Sequence, residues 1–511
     1  MAIDSGKIAI PEVGGRIPGS TVHAVSVSLP AVADVIGYEE KRSETMSRIK
    51  SGYPRFVAHP YVTELVSYFQ PSFSRNPCVV VSSRRAADDL FSWAGHHTTE
   101  LIEEDGIVAF PLPEDETRAG YLLSFIQHTG CLVSSRRAER FLLDRNLLQE
   151  EQTEERVRKG TGPELVQKEM AGLNHLNTRD VFLSVSGMNG IYGAFRSIQE
   201  IQKKKGRDIW IQLGWLYVDN IRILEKFAVA SEKVYDLSNL NELRRVIKEQ
   251  AGRVAGVITE LPTNPLLQTP DMPELYDICQ SEGCALLSDI SVGSSVCVDA
   301  LPYCDVVVES LTKFASGSCD VMMGAVMLNP SSRFHDEIAG TLNEYLEVPY
   351  VADSDRMAHR IPGYQNRMIQ IGRNLNILGD LWEKNPSVRK LFRADRGPWA
   401  ENYNRIARKH DGSVLPGGMI TMEVASSMES VYDSLQVLKG PSFGTDFTLV
   451  MLYMYLAHYE LVSTEDGRKL LEHLHMDPGL FRISIGLEDP SLINDAFEQA
   501  FSHARANPGQ G

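Results

Sequence analysis

Between about residues 181 and 330, short apolar runs recur along the chain: "DVFLSVSG", "DIWIQLG", "VAGVITELP", "GCALLSD" and "CDVVVESLT". Each is rich in β-branched residues and nearly continuous in its apolar character, as expected of a strand buried on both faces. Stretches with helical spacing separate several of them, such as "IYGAFRSIQEIQKKKG" and "MPELYDICQSEG". Strands alternating with helices predict an α/β fold, a mainly parallel sheet flanked by helices. Such sheets bind ligands beyond the carboxyl ends of their strands.

Elsewhere the pattern is less regular. Residues 1–50, rich in Gly, Pro and Ser, read as an extended arm with a short helix near 38–52. From 60 to 180 short strands and helices alternate. "VSSRRA" occurs at both 81–86 and 133–138, each time after an apolar run and before a helical pattern. Two copies do not make a repeat protein; a recurring strand-to-helix turn, or coincidence, accounts for them. "QEEQTEERVRKG" (149–160) reads as a solvated charge run. Beyond about 335 the chain reads as mostly helical, with strands at 417–426 and 480–488. The expected organisation is an N-terminal arm over 1–59 and a large α/β domain over 60–344, of which 60–180 is the divergent, extended part. A smaller α+β domain follows over 345–511.

Composition narrows the function. The chain has 511 residues and a formal net charge of −16, which speaks against nucleic acid or an anionic membrane as the main partner. No apolar stretch reaches the roughly 18 residues of a membrane helix, and no secretory or organellar signal is evident in "MAIDSGKIAIPEVGG". The seven cysteines lack CxxC spacing and lie in or beside apolar runs. They read as free thiols of a reducing compartment, which predicts a cytoplasmic protein. No metal is expected: His96-His97 and "HLH" (473–475) have no accompanying HExxH.

The strand ends carry the chemistry. "LLSD" ends at Asp289, "VVVESLTK" ends in Ser310, Thr312 and Lys313, and "FLSVSGMNG" breaks into a helix at Ser186-Gly187-Met188-Asn189. "VITELPTNP" leaves its strand at Glu260 and reaches Asn264. A lysine amine can condense with an aldehyde, and a carboxylate can hold a pyridine nitrogen protonated. N–H groups at a helix start, with the hydroxyls of Ser310 and Thr312, suit a phosphate dianion. Taken singly, each feature has a plain alternative: a glycine turn, a helix cap, a solvated lysine. Their joint placement points to pyridoxal 5′-phosphate (PLP).

"SDISVGSS…DVVVESLTKFASGSCDVMMGAVML" resembles the cofactor-lysine segment of the Cys/Met-metabolism family of PLP enzymes. "SGMNG", "ELPTNP" and "FRISIGLED" resemble that family's phosphate turn, Asn-Pro segment and C-terminal arginine segment. "HAVSVSLPAVADVIGYEE", "SGYPRFVAHP", "FIQHTGCLVSSRRAE", "GWLYVDNIRIL" and "LKGPSFGTDFTL" are similar to the longer, fungal-type cystathionine γ-synthases. The likeness spans nearly the whole chain. It implies a fold type I PLP-dependent transferase, aspartate-aminotransferase-like.

By that resemblance Lys313 would hold the cofactor as a Schiff base and then shuttle protons. Asp289 would pair with the pyridine nitrogen. Gly187, Met188, Ser310 and Thr312 would hold the phosphate, and Asn264 would approach the ring hydroxyl. Tyr217 would stack on the ring and assist proton transfer; as a plain residue it reads equally as a core aromatic. Arg482 and Ser442 would face the substrate, Arg482 gripping its α-carboxylate. Tyr53 and Arg55 would reach the phosphate of a neighbouring subunit, implying a homodimer or homotetramer with shared active sites. The implied reaction on small-molecule amino acids is γ-replacement on an O-acetyl-, O-succinyl- or O-phosphohomoserine, with cysteine as nucleophile. Sulfide or carbon nucleophiles, a cystathionine or methionine lyase, and an inactive PLP-binding relative are the alternatives. Departures from the family pattern are Gly317-Ser318-Cys319-Asp320 after the lysine, Pro441 before Ser442, and the long stretch between Tyr53 and Ser186.

Overall fold

The computed structural model describes residues 9–73, 76–95, 100–157 and 159–507; His96-His97 lie outside them. Residues 9–59 thread between two bodies of the molecule. The Val25 N–H donates to the Cys319 carbonyl and the Leu29 N–H to that of Lys439, each at 2.9 Å. The arm's helix comes earlier than expected: α1 spans Val32–Glu39, and Ser43–Met46 adds one short turn. Val32, Val35 and Tyr38 supply a buried stripe, whereas the charged run after them buries fewer residues, Thr45 with Met46 and Ile49 partly packed on the core.

Residues 60–157 form a module of α2 (Pro60–Phe69), β1 (Cys78–Val81), α3 (Arg84–Ala94), β2 (Ile102–Glu104), β3 (Ile107–Pro111), α4 (Glu116–Thr129) and α5 (Ser135–Asp144). Its antiparallel sheet has the order β1-β3-β2. Both "VSSRRA" copies are helix caps: Ser83 Oγ accepts from the Ala86 N–H (3.0 Å) and Ser134 Oγ from the Arg137 N–H (3.2 Å). The apolar run before the second copy is not a strand. A backbone bond from the Ser82 N–H, just past β1, to the Cys131 carbonyl (3.2 Å) builds no ladder.

The large sheet contains β4 (Val181–Ser184), β5 (Ile209–Leu213), β6 (Ala230–Val234), β7 (Val254–Glu260), β8 (Ala285–Asp289), β9 (Val306–Ser310) and β10 (Gly324–Leu328). The order is β4-β10-β9-β8-β7-β5-β6, and only β10 runs against its neighbours. All five predicted strands are present. Two strands are added: the antiparallel β10 and the edge strand β6, whose three exposed residues leave it no apolar run. Helices α6 (Gly187–Lys203) and α7 (Val218–Phe227) follow β4 and β5. Register pairs Asp289 with Glu260 on one side and with Val308 on the other, aligning the strand ends on one edge.

The C-terminal body holds a five-stranded sheet and two long helices, α8 (Tyr364–Trp382) and α9 (Pro490–Ala506). Its strands are β11 (Val388–Phe392), β12 (Met419–Val424), β13 (Leu438–Lys439), β14 (Leu449–Leu452) and β15 (Phe481–Ser484). The order is β11-β12-β15-β14-β13. Two of these five were legible from sequence. β13 has only two residues, and β11 (VRKLF) is exposed and charged. Among the described residues no helix is long and apolar enough to cross a membrane. All seven cysteines are buried free thiols.

Arg136 on α5 pins the 60–157 module to the body. Its guanidinium meets Glu154 (2.6 Å), Asp353 (3.1 Å) and the Asp320 carbonyl (2.8 Å), and its side chain is 1% exposed. Removing one partner of such a network leaves buried charge uncompensated. Arg136→Ala is therefore expected to cost about 3–5 kcal/mol of stability, read as a large drop in urea midpoint, whereas Arg140→Ala on the exposed ion pair with Asp144 leaves the midpoint nearly unchanged.

Candidate active site

The carboxyl edge of the large sheet opens into a cavity of about 450 Å³. Lys313 enters it three residues beyond β9, and 8% of the residue is exposed. Its Nζ donates to Ser442 Oγ (3.0 Å) and lies 4.4 Å from the Tyr53 ring centre and 4.8 Å from that of Phe443. Burial lowers its pKa from the ordinary lysine value. A larger share of the amine is then neutral, the form that attacks carbonyls and takes protons.

Asp289 and Glu260 end adjacent strands. Asn220 Nδ2, from α7, donates to Glu260 Oε1 (2.9 Å) and Asp289 Oδ2 (3.3 Å). The Ser291 N–H donates to Asp289 Oδ1 (2.8 Å). Burial raises both carboxyl pKa values, and the nearby Asp289 charge helps push Glu260 up to about 8. Asp289 thus sits where a cationic N–H partner would relieve a buried acid.

At the other end, α6 starts at Gly187 with Ser186 Oγ capping the Asn189 N–H (3.1 Å). Gly187 and Met188 line the cavity with Ser310. A Cβ on Gly187 would stand 2.6 Å from Ser310 Cβ, so only glycine fits this close approach. Ser310 Oγ is buried with no hydrogen-bond partner among the described residues. Thr312 is placed differently from expectation. It does not line the cavity, and its Oγ1 accepts from the Met323 N–H (3.2 Å). Ser310 and Thr312 are thereby separated in role, one open to the cavity and the other tied to the backbone.

Tyr217, just before α7, lines the cavity, and Arg55 Nη2 donates to its hydroxyl (2.6 Å). Arg55 also pairs with Asp219, and His128 Nδ1 lies 2.7 Å from the other Asp219 oxygen. Burial alone would raise the Asp219 pKa, but Arg55 and His128 hold it below the usual carboxylate range. Tyr53 and Arg55 line the cavity of the chain that carries them.

Arg482 lies on the central strand β15, opposite Thr421 and Met451. Nη2 donates to the Ser442 carbonyl (2.7 Å), and Nη1 is 3.5 Å from Asn264 Oδ1. Burial lowers its pKa to about 10, which still leaves it cationic at neutral pH. No carboxylate pairs with it among the described residues. Ser442 therefore holds both key cations, and its φ of +104° is a conformation costly to a residue with a Cβ.

Of the predicted residues, all but Thr312 line this cavity. Sequence reasoning did not single out Gln127, His128, Asp219, Asn220 and Ser291. The "YVDN" pair of polar residues inside an otherwise apolar α/β segment was the one available signal. Among the described residues no group of three or more His, Cys, Asp or Glu side chains is placed to hold a metal.

Comparison with known proteins agrees with this geometry. The profile described as "Cys/Met metabolism PLP-dependent enzyme" matches residues 124–502. The chain belongs to that family. It is 36% identical over 492 residues to the L-2-amino-4-chloropent-4-enoate dechlorinase/desaturase of Streptantibioticus cattleyicolor, covering 96% of this chain and 98% of that protein. It is 26% identical over 622 aligned positions to the cystathionine gamma-synthase of Neurospora crassa, with the same coverage. Among solved structures, cystathionine gamma synthase from Xanthomonas oryzae pv. oryzae in complex with cystathionine superposes with a TM-score of 0.56 at 19% identity, covering 66% of this chain and 84% of that one. This is the fold type I arrangement expected from the sequence.

The family's cofactor is PLP, and the residues present fit it. Ser310 Oγ and Arg55 Nε, which have no hydrogen-bond partner among the described residues, suit a phosphate together with side-chain-free Gly187. Asp289 suits a pyridinium nitrogen, and Lys313 an aldehyde. Gly187→Ala is expected to weaken PLP binding at least roughly tenfold by crowding Ser310, read by absorbance titration. The pH midpoint for cofactor attachment should fall below that of a free lysine; a midpoint at the ordinary lysine value would contradict the burial effect on Lys313.

Proposed function

We propose that this protein breaks a bond between Cγ and a leaving group of an α-amino acid. Its reaction is γ-replacement on an activated homoserine (O-acetyl, O-succinyl or O-phospho) with cysteine as nucleophile. One observation carries this reading. A single backbone segment at Ser442 holds the neutral-prone amine of Lys313 and the unpaired guanidinium of Arg482.

When bound, PLP supplies an aldehyde for amino groups and an electron-withdrawing ring. Arg482 grips the α-carboxylate in place of the Ser442 carbonyl, with Asn264 beside it. That grip sets Cα near Lys313. As one mobile base, Lys313 takes the Cα proton and then a Cβ proton. The leaving group departs from Cγ as its carboxylate or phosphate, the cysteine sulfur bonds to Cγ as its S–H proton is lost, and protons return to Cβ and Cα. Asp289 holds positive charge at the ring-nitrogen end. Tyr217, with Arg55 on its hydroxyl, supplies a ring face for stacking. Phe443, Tyr53 and Met451 line the cavity and limit water around the reacting carbons.

A second reading is γ-elimination from a 4-substituted amino acid without an acceptor. It is favoured by the bacterial relative at 36% identity, whose name describes a dechlorinase/desaturase. The buried free thiols support a reducing compartment, and we place the protein in the cytoplasm.

Mass spectrometry of products from each homoserine ester with cysteine, and from a 4-chloro amino acid alone, separates the two readings. Cystathionine as the product supports replacement. Leaving-group release with no cysteine incorporated would overturn it in favour of elimination. Borohydride should fix PLP on the wild type and not on Lys313→Ala. Arg482→Ala should raise KM roughly 100-fold by removing charge-assisted hydrogen bonds, with less effect on cofactor uptake.

A further inference from the structure

The turn that follows β7 carries Asn264, and its backbone is gripped from both bodies of the molecule. From the large domain, Glu260 Oε2 accepts the Asn264 N–H (3.2 Å). From the C-terminal body two hydroxyls reach across. Tyr453 Oη donates to the Asn264 carbonyl (3.1 Å), and Thr421 Oγ1 donates to that of Pro265 (2.6 Å). Tyr453 and Thr421 are fully buried and Asn264 nearly so. Burial pushes the Tyr453 pKa above its ordinary value, so the hydroxyl keeps the proton that its bond needs.

These two donors flank Arg482. Thr421 on β12 and Met451 on β14 lie opposite Arg482 on β15. Tyr453 comes two residues after Met451, at the start of the short helix Tyr453–Ala457. Its ring centre is 5.4 Å from the Arg482 guanidinium carbon, and that of Phe443 is 5.0 Å away. The arginine therefore rests between aromatic faces. Its polar neighbours are the Ser442 carbonyl (2.7 Å) and Asn264 Oδ1 (3.5 Å). The second distance is long for a hydrogen bond, so the placement of the Asn264 turn decides whether both side chains can meet one carboxylate.

Tyr453 and Thr421 are not among the residues that line the cavity, whereas Asn264 and Arg482 are. Whatever the two hydroxyls do for a ligand, they do through the turn. Removing either one leaves a buried carbonyl without its donor, which is unfavourable enough to move the segment toward another partner.

We propose that Tyr453, with Thr421 as a second brace, is a positioning residue that sets Asn264 and Arg482 for the substrate α-carboxylate. This deepens the reading of Arg482 as the carboxylate grip and rests on it.

The test uses PLP-loaded protein and two ligands. L-2-aminobutyrate has the four-carbon skeleton without a leaving group, and propylamine is the same amine without the carboxylate. Each is titrated and followed by the absorbance of the cofactor, and the ratio of the two dissociation constants reports the grip on the carboxylate alone. Tyr453→Phe keeps the ring and removes the hydroxyl. It should lower the preference for 2-aminobutyrate roughly tenfold, with propylamine binding and PLP uptake unchanged. Thr421→Val should move the ratio in the same direction. Arg482→Ala should abolish the preference, and adding Tyr453→Phe to it should change the ratio no further.

A wild-type ratio in Tyr453→Phe overturns the inference, as does equal weakening of both ligands, the sign of a general structural role. A further fall in the Arg482→Ala background overturns it too. Should Tyr453→Phe fail to fold, Thr421→Val decides by the same criteria. An unchanged ratio in Arg482→Ala overturns the reading beneath as well, whereas a lost preference there with an intact one in Tyr453→Phe overturns this inference alone.

Discussion

A buried amine with no carboxylate partner among the described residues is the constraint around which this molecule is arranged. Lys313 lies just past the carboxyl end of a strand, and its Nζ donates to Ser442 Oγ (3.0 Å). Burying a cation without an anion is unfavourable, and the structure answers by favouring the neutral form. Tyr53 and Phe443 rings face the amine, and the cationic Arg482 and Arg55 press its pKa down further. The same burial that costs stability favours the neutral amine.

The charges divide the cavity into regions. The pair Asp289 and Glu260 gathers acid at the strand ends, bridged by Asn220. Arg55 and the start of α6 gather positive potential at the opposite end. Arg482 lies on the strand of another sheet altogether. A ligand with a cationic ring nitrogen, a phosphate and an amino-acid carboxylate meets complementary groups in each direction. Ser442 couples the last two elements, because its strained backbone presents a hydroxyl to Lys313 and a carbonyl to Arg482. Such strain persists only where surrounding structure determines it.

Within the chain the arm is bound on both sides, to the body through Val25 and Leu29 and to the module of residues 60–157 through His23 and His59. Buried ionic contacts such as that of Arg136 make separation of the module expensive.

What the sequence determined by itself was everything encoded in local pattern. The β-branched runs marked five strands of the large sheet, and the strand-end rule located Lys313, Asp289, Ser310, Gly187 and Asn264 without coordinates. The segments "SLTK" and "FRIS" identified the family because their residue types serve one chemistry. Edge strands β6 and β11 were hidden because exposed strands need no apolar run. Tertiary structure alone decided what depends on long-range packing. It turned Thr312 onto the Met323 backbone, set Asn220 between two carboxyls, and brought His128 to Asp219 across 91 positions. Periodicity reports which face of an element is buried, whereas the partner of a buried charge is chosen by whichever segment packs beside it.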